Sequence, residues 1–311
     1  MNSKELMKSI IQRIATGPEL SKNLDFEETK AGMQAILRGE IDDVQSAIFF
    51  IALRMKRETE EENKGVLAAI LAESDKQTVD VDDLVDLGDP YSGYNRSIPI
   101  SSFLPPVLAE LGLPCVIHGL DSVSPKFGLT HRHIVKAMGL SVDHSTLDVK
   151  ARIEDASIGW SYVDQASYCK GLHNLVPLRD RMIKRTVINT VETLITPLRG
   201  RVTHSVLGYV HKPYPPKYAA LAEESGMETA LLVRGVEGGV IPSLRQKGLM
   251  VSYEGTEEKG RVDIEPQSLG IEQDMRAISF PDGLNVENDI PALANYTVKL
   301  GKAALAGEKG M

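Results

Sequence analysis

Residues Val79-Asp80-Val81-Asp82-Asp83-Leu84-Val85-Asp86-Leu87 are the first strand-like run in a chain whose first 76 residues read as helix. β-Branched and aliphatic side chains dominate the run. It ends in Gly88-Asp89-Pro90-Tyr91-Ser92-Gly93, a loop marked by glycine and proline. Further β-type runs follow at Pro114–His118, Val202–Val210, Thr229–Arg234 and Arg261–Ile264, with helical stretches such as Phe103–Leu111 and His131–Met138 between them. Strands that alternate with helices predict an α/β domain with a mainly parallel central sheet.

Upstream, Leu6, Ile10, Ile11 and Ile14 recur at helical spacing, and Gly17-Pro18 ends that helix. A second helix is expected from Phe26 to Leu37, a third over about Asp42–Met55, and a fourth after Thr59. There Thr59 and Glu62 fit a capping box. Tyr168–Leu194 reads as helical again, and its apolar pattern of Leu175, Leu178, Met182, Ile183, Val187 and Ile188 suits packing back on the N-terminal helices. The organisation expected is therefore a small helical domain (1–76) joined by returning helices (165–195). A larger α/β domain (77–164 and 196–311) completes it, with a ligand cleft between the two. The tail after Thr297 is expected to fray.

The 311 residues are 42% hydrophobic and 25% charged, enough for a sizeable core and too apolar for wholesale disorder. Cys115 and Cys169 lie far apart, which excludes a disulfide framework and suits a reducing cytoplasm. The N-terminus carries charges within its apolar pattern and reads as an amphipathic helix, not a signal peptide; no apolar run is long enough for a membrane span.

Net charge is −8, yet residues 160–217 hold nine basic and three acidic residues, a local excess of +6. Arg179, Arg181, Lys184, Arg185, Arg199, Arg201, Lys212 and Lys217 fall here, with His173, His204 and His211. Such a segment attracts a phosphate, a carboxylate or a nucleic-acid backbone. It equally fits a solvated face paired with acidic neighbours, and aromatic interleaving for base stacking is sparse.

Two loops carry phosphate-like chemistry. Gly88 to Ser97 leads through Ile98-Pro99-Ile100 to Ser101-Ser102 and a helix, where free amides favour an anion, or where a serine simply caps the helix. His118-Gly119-Leu120-Asp121-Ser122-Val123-Ser124-Pro125-Lys126-Phe127-Gly128 follows a buried-type strand, and ligands collect beyond the carboxyl ends of such strands. Gly88, Ser101, Ser102, His118, Ser122, Ser124 and Lys126 are the phosphate-pocket candidates. His131, His133 and His144 match no usual zinc spacing, and no metal site is expected.

Together these residues resemble the anthranilate phosphoribosyltransferase family. Gly39-Glu40-Ile41-Asp42-Asp43-Val44-Gln45, Ala52-Leu53-Arg54-Met55-Lys56 and Glu58-Thr59 look like its G-E-x-x-x-x-Q, A-L-R-x-K and E-T signatures. Arg179, Arg185-Thr186, Asn189, Leu194 and Pro197 fall at its spacing, and the loop from His118 to Gly128 resembles its serine loop. The resemblance implies a phosphoribosyltransferase-like fold, magnesium with a phosphoribosyl pyrophosphate donor, and Arg179, with His173 nearby, as the acceptor or anion anchor. The sequence departs from the family at the donor side. The family's pyrophosphate loop is replaced by Gly88-Asp89-Pro90-Tyr91-Ser92, its Asn-Arg pair by Leu120-Asp121, and its magnesium-holding Asp-Glu pair by Val240-Ile241. Apolar side chains cannot ligate a hard cation. The chain thus looks closest to a diverged, nucleic-acid-binding paralogue group of that family. No cofactor is expected, with magnesium only if a transferase reading holds. The expectation is a non-catalytic homodimer, joined through the N-terminal helices, that binds an anion or nucleic acid. The alternative is a glycosyl or phosphoribosyl transferase acting on a phosphorylated small molecule, the anthranilate reaction included. Phe49-Phe50-Ile51 and Leu67–Leu71 are read as the surplus apolar surface for the dimer.

Overall fold

The computed structural model describes residues 2–17 and 19–308. Four helices open the chain: α1 Ser3–Ile14, α2 Phe26–Leu37, α3 Asp43–Lys56 and α4 Glu60–Ala72. Each starts where a side-chain oxygen meets a first-turn amide, at Asn2, Asp25, Asp42 and Thr59. The Thr59–Glu62 capping box forms. Glu62 is also a buried hub, taking Lys56 Nζ at 2.6 Å and the Leu24 amide at 2.8 Å. Gly17 adopts φ +107°, and Pro18, the other half of the expected break, lies outside the described residues.

The bundle consumes most of the residues read as surplus, while Ile51 stays part-exposed on α3. Phe49 and Phe50 pack edge to face at 5.5 Å and are fully buried, as are Leu67 and Ile70. The apolar surface left outside is instead the opposite stripe of α3, where Val44 is 68% and Met55 73% exposed. The helix is apolar on two faces, and sequence alone did not say which faces inward.

A short parallel pair follows, β1 Gln77–Thr78 with β5 Leu198–Arg199. The main sheet holds seven strands: β2 Asp83–Gly88, β3 Cys115–Gly119, β4 Trp160–Asp164, β6 Val202–Tyr209, β7 Thr229–Arg234, β8 Gly248–Glu254 and β9 Glu257–Ile264. Their order is β4-β3-β2-β6-β7-β8-β9, parallel through β7 and antiparallel from β7 to β9. The Val79–Leu87 run therefore divides. Its first residues bridge from β1, with Asp80 and Asp82 turned outward to Arg201, and the buried strand starts only at Asp83. Half of β9 is Glu257-Glu258-Lys259-Gly260-Arg261, largely solvent-exposed, so only its end looked like a strand.

Helices α5 Leu104–Glu110, α6 His131–Ala137 and α7 Thr146–Glu154 lie between the first strands. The stretch expected as helix from Tyr168 is broken into α8 Gln165–Tyr168, α9 Lys170–His173, α10 Val176–Met182 and α11 Val187–Val191. Pro177 sits in the first turn of α10, and Ile183, at φ +62°, stops it. Helices α10 and α11 pack on α3, and α11 also packs on α4. Helix α12 Tyr214–Glu224 joins β6 to β7.

Among the described residues the tail does not fray. It forms α13 Ile290–Leu305 against α6, with Thr297 buried and its hydroxyl donating to Leu293 O at 2.8 Å. Gly301 lets α13 approach the Phe103 ring so closely that an added Cβ would stand 2.2 Å from it.

Candidate functional site

The carboxyl ends of β3, β2, β6 and β7 open on one edge, where loops 88–103, 119–130 and 235–247 meet the helical return. The first of these loops is closed from inside. Asp89 is buried and accepts Ser101 Oγ at 2.5 Å, Tyr94 OH at 2.9 Å and the Val240 amide at 2.9 Å. His131 Nε2 lies 3.3 Å from it, and Ser102 Oγ bonds His131 Nδ1 at 2.7 Å. Burial works to raise the Asp89 carboxyl, but His131, Ser101 and the Val240 amide outweigh it and hold it below the ordinary aspartate value. Ser101 and Ser102 are therefore buried and engaged, not presented to a ligand.

His118 has the same fate. Its Nε2 meets Asp86 Oδ1 at 2.9 Å, and its Nδ1 meets the Tyr91 hydroxyl, which in turn meets Tyr168. All four side chains are buried. Gly88 is a packing glycine: a Cβ there would strike Thr193 O and Leu207 at 2.4 Å. The Ser124 amide donates to Asp180 at 3.0 Å, while its hydroxyl is buried without a partner. Ser122 is half-buried beside it. Of the seven pocket candidates, Lys126 is the one whose charged end reaches the cavity described below.

Arg179 is neither on the cleft surface nor in solvent. It is buried against Glu192 in two bonds of 2.8 and 2.9 Å, so the residue read as an anion anchor is engaged within the protein. His173 is half-buried in α9, outside the cavity lining. The basic segment also divides. Arg181 pairs with Asp43, Arg201 with Asp80 and Asp82, and Arg199 donates to Gly226 O at 2.7 Å. Arg181 and Arg201 are the solvated, acid-paired face that the sequence equally allowed, while Arg199 is half-buried on a backbone carbonyl. Lys184, Arg185 and Lys212 are exposed, and among the described residues none of them has an acidic partner.

Two adjoining cavities, of about 160 and 530 Å³, share Lys126, Arg185, Val210, His211 and Glu237. Arg54 from α3 stands on the first, and Arg96 and Arg276 stand on the second. Among the described residues Arg54, Arg96, Arg185 and Arg276 make no ion pair. Sequence reasoning missed Arg54, Arg96 and Arg276 because they come from three distant segments. An aromatic wall was missed too: Tyr209, Tyr214, Tyr218 and His211 line the first cavity, with Tyr214 and Tyr218 edge to face at 5.4 Å. Burial lowers the Lys126 ammonium and Arg185 works the same way, against the pull of Glu237.

Glu237 faces Lys126 at 3.2 Å from the turn Gly235-Val236-Glu237-Gly238-Gly239. That turn lies directly on the end of β6, since a Cβ at Gly208 would stand 2.2 Å from Gly239. Just beyond it, Val240 is 4% exposed in an apolar cluster with Val85, Leu87 and Ile117, and Ile241 packs on the same cluster. Neither side chain offers an oxygen, and the Asp89 carboxylate beside them is taken up by Ser101, Tyr94 and the Val240 amide, so Val240 and Ile241 do not fit a magnesium ion.

A helical bundle set on a mostly parallel sheet, with a cation-lined cleft at the strand ends, defines a phosphoribosyltransferase-like architecture. Residues 8–74 match the helical bundle domain of the glycosyl transferase family and residues 92–280 match its a/b domain, and the chain belongs to that family. It is 31% identical over 268 residues to an uncharacterized protein of Aquifex aeolicus, spanning 86% of this chain and 79% of that protein. It is 29% identical to the anthranilate phosphoribosyltransferase of Methanopyrus kandleri, spanning 85% and 76%. Its fold matches the anthranilate phosphoribosyltransferase of Thermus thermophilus at TM-score 0.70 with 21% identity, covering 98% of this chain and 84% of that one. It also matches the Saccharomyces cerevisiae enzyme in complex with PRPP and Mg at 0.73 with 18% identity, covering 100% and 83%.

Proposed function

We propose that this chain is a polyanion-binding member of the family that does not use a pyrophosphate donor, and that its ligand is nucleic acid. The observation that carries this reading is the convergence of Arg54, Arg96, Lys126, Arg185 and Arg276 on one cleft. Four of them have no acidic partner among the described residues. Phosphate contacts of this kind supply most of the affinity for a nucleic-acid backbone. The tyrosine and histidine wall offers π-faces for stacking, which tolerates any base.

The donor side supports the loss of transfer chemistry. Asp89 is satisfied internally, Pro90 has no amide proton to offer, and Val240-Ile241 give a divalent ion nothing to bind. The transferase reading keeps one argument: relatives bearing the anthranilate phosphoribosyltransferase name span most of this chain. Calorimetry with phosphoribosyl pyrophosphate and magnesium separates the two. Micromolar, magnesium-dependent binding establishes the transferase reading. Titration of single-stranded and duplex DNA across salt concentrations tests the first. A steep fall of affinity with salt is expected, and no binding at low salt removes it.

The exposed face of α3 supports a homodimer. Ile14, Ala47, Ile48, Ile51, Ala52 and Met55 line an apolar groove of about 520 Å³ between α1 and α3. The occupant proposed is a second copy, as the family resemblance implies for the N-terminal helices. Among the described residues no helix is long and apolar enough to cross a membrane.

A further inference from the structure

Arg57 closes α3 at φ 70° and ψ 111°, outside the regions that a residue with a Cβ ordinarily occupies. Its neighbours fix the corner. On one side, Lys56 Nζ is buried on Glu62 at 2.6 Å and meets Asn23 Oδ1 at 2.9 Å. On the other, the Thr59 amide donates to Glu62 at 2.9 Å as α4 begins. Between them the Arg57 amide donates to Arg54 O at 3.1 Å. Strained backbone persists where the surroundings over-determine it, and these contacts do so. A glycine would meet the same demand with no Cβ to strain.

Nothing that the arginine side chain does within the fold offsets this strain. Arg57 is exposed, and among the described residues its guanidinium has no hydrogen bond and no acidic partner. Nor is strain scattered over the molecule. The other described non-glycine residues with positive φ are Phe127, Ile183 and Glu237. Each of the four lines the first cavity or stands within three residues of a side chain that does, namely Arg54, Lys126, Arg185 and Glu237 itself. Strain gathered round one cleft points to what the cleft binds.

We propose that Arg57 is a further phosphate contact, which carries the basic path of the cleft out onto the corner between α3 and α4 and suits the site to a strand longer than the cavity. This rests on the nucleic-acid reading of the same cleft. Arg57 lies outside both cavity linings, three residues beyond Arg54. A small anion seated in the first cavity has Arg54 within reach and gains nothing from Arg57. A chain of phosphates that leaves the cavity past Arg54 meets Arg57 next. Its guanidinium stays charged and presents a fixed fork of donors, which matches a phosphate group. The cavity cations therefore serve any polyanion, and Arg57 favours a polymer.

The test uses the full chain with Arg57→Gln, Arg57→Gly and Arg57→Lys. Single strands of increasing length are titrated by anisotropy across salt concentrations, and melting is followed by calorimetry. Arg57→Gln keeps the strain and removes the charge. It is expected to melt with the parent and to bind long strands about three- to fivefold more weakly at low salt, with a log–log salt slope flatter by about 0.7. That loss is expected to vanish for strands too short to pass Arg54. Arg57→Gly removes both strain and charge, and is expected to bind like the glutamine variant yet melt about 1–3 °C above the parent. Arg57→Lys keeps both and is expected to hold the parent's slope. Unchanged long-strand affinity in Arg57→Gln overturns the contact, and an equal loss at every length overturns the polymer preference. A glycine variant that melts below the parent shows the strain offset within the fold and overturns the argument from it. If Arg185→Ala weakens binding while Arg57→Gln does not, the cleft reading stands and Arg57 alone falls. If no strand binds the parent, both fall.

Discussion

Arg179 and Glu192 meet in the buried helical return with each guanidinium nitrogen on its own carboxylate oxygen, at 2.8 and 2.9 Å. Asn189 adds a third contact to Glu192 at 3.3 Å. Burial pushes the Glu192 carboxyl up even against Arg179. The residue that the family resemblance makes an acceptor anchor is here half of an internal ion pair.

Removing one partner strands the other in a low-dielectric site. Arg179→Ala is expected to cost about 3–5 kcal/mol of stability. Urea unfolding checks this, and Arg179→Met combined with Glu192→Leu is expected to recover most of the loss. A variant Arg179→Ala that unfolds like the parent yet loses DNA affinity returns the residue to the ligand.

The cleft arginines should act on DNA binding and the acid-paired ones should not. Arg185→Ala and Arg276→Ala are each expected to weaken single-stranded binding and to flatten the log–log salt slope by about 0.7. Arg201→Ala, already neutralised by Asp80 and Asp82, is the control expected to leave both unchanged. Equal effects from all three would place binding elsewhere.

Acid should unlock the site. For Glu237, burial works to raise the carboxyl, but Lys126, the Asn95 amide and Ser97 outweigh it and hold it below the ordinary glutamate value; Asp89 is likewise depressed. A carboxyl whose native pKa lies below its unfolded one stabilises the fold above the unfolded value. That contribution is lost as pH falls through the native value. Melting temperature is therefore expected to hold from pH 7 to about 5 and to fall below about 4. Asp89→Asn is expected to start lower at pH 7 and to approach the parent at about pH 3. An acid limb of unchanged steepness in that variant would contradict this account.

Assembly should depend on the outer stripe of α3. Ile48→Asp sets a charge in the apolar groove without touching Phe49, Phe50 or Leu53 on the inner face. Sedimentation at micromolar concentration is expected to give a dimer for the parent and a folded monomer for the variant. A monomeric parent excludes the dimer.

Local chemistry made much of this fold legible in the sequence. Asp25 and Thr59 begin helices because their side chains satisfy amides that nothing else nearby can reach, and β7 is apolar enough to be read as a strand to the residue. The amphipathic start was legible for the same reason, as were the apolar pair Val240-Ile241 and the local excess of basic residues. Partnership was not legible. Whether Arg179, Arg181 and Arg201 are free or paired depends on acids at positions 192, 43, 80 and 82, and only folding brings those acids near. Arg54, Arg96 and Arg276 become neighbours of one cleft through three separate segments, and Glu237 reaches amides some 140 positions earlier in the chain. Propensity and capping act over a few residues and so are written along the chain. Electrostatic pairing and cavity shape act through space, and the tertiary structure decides them.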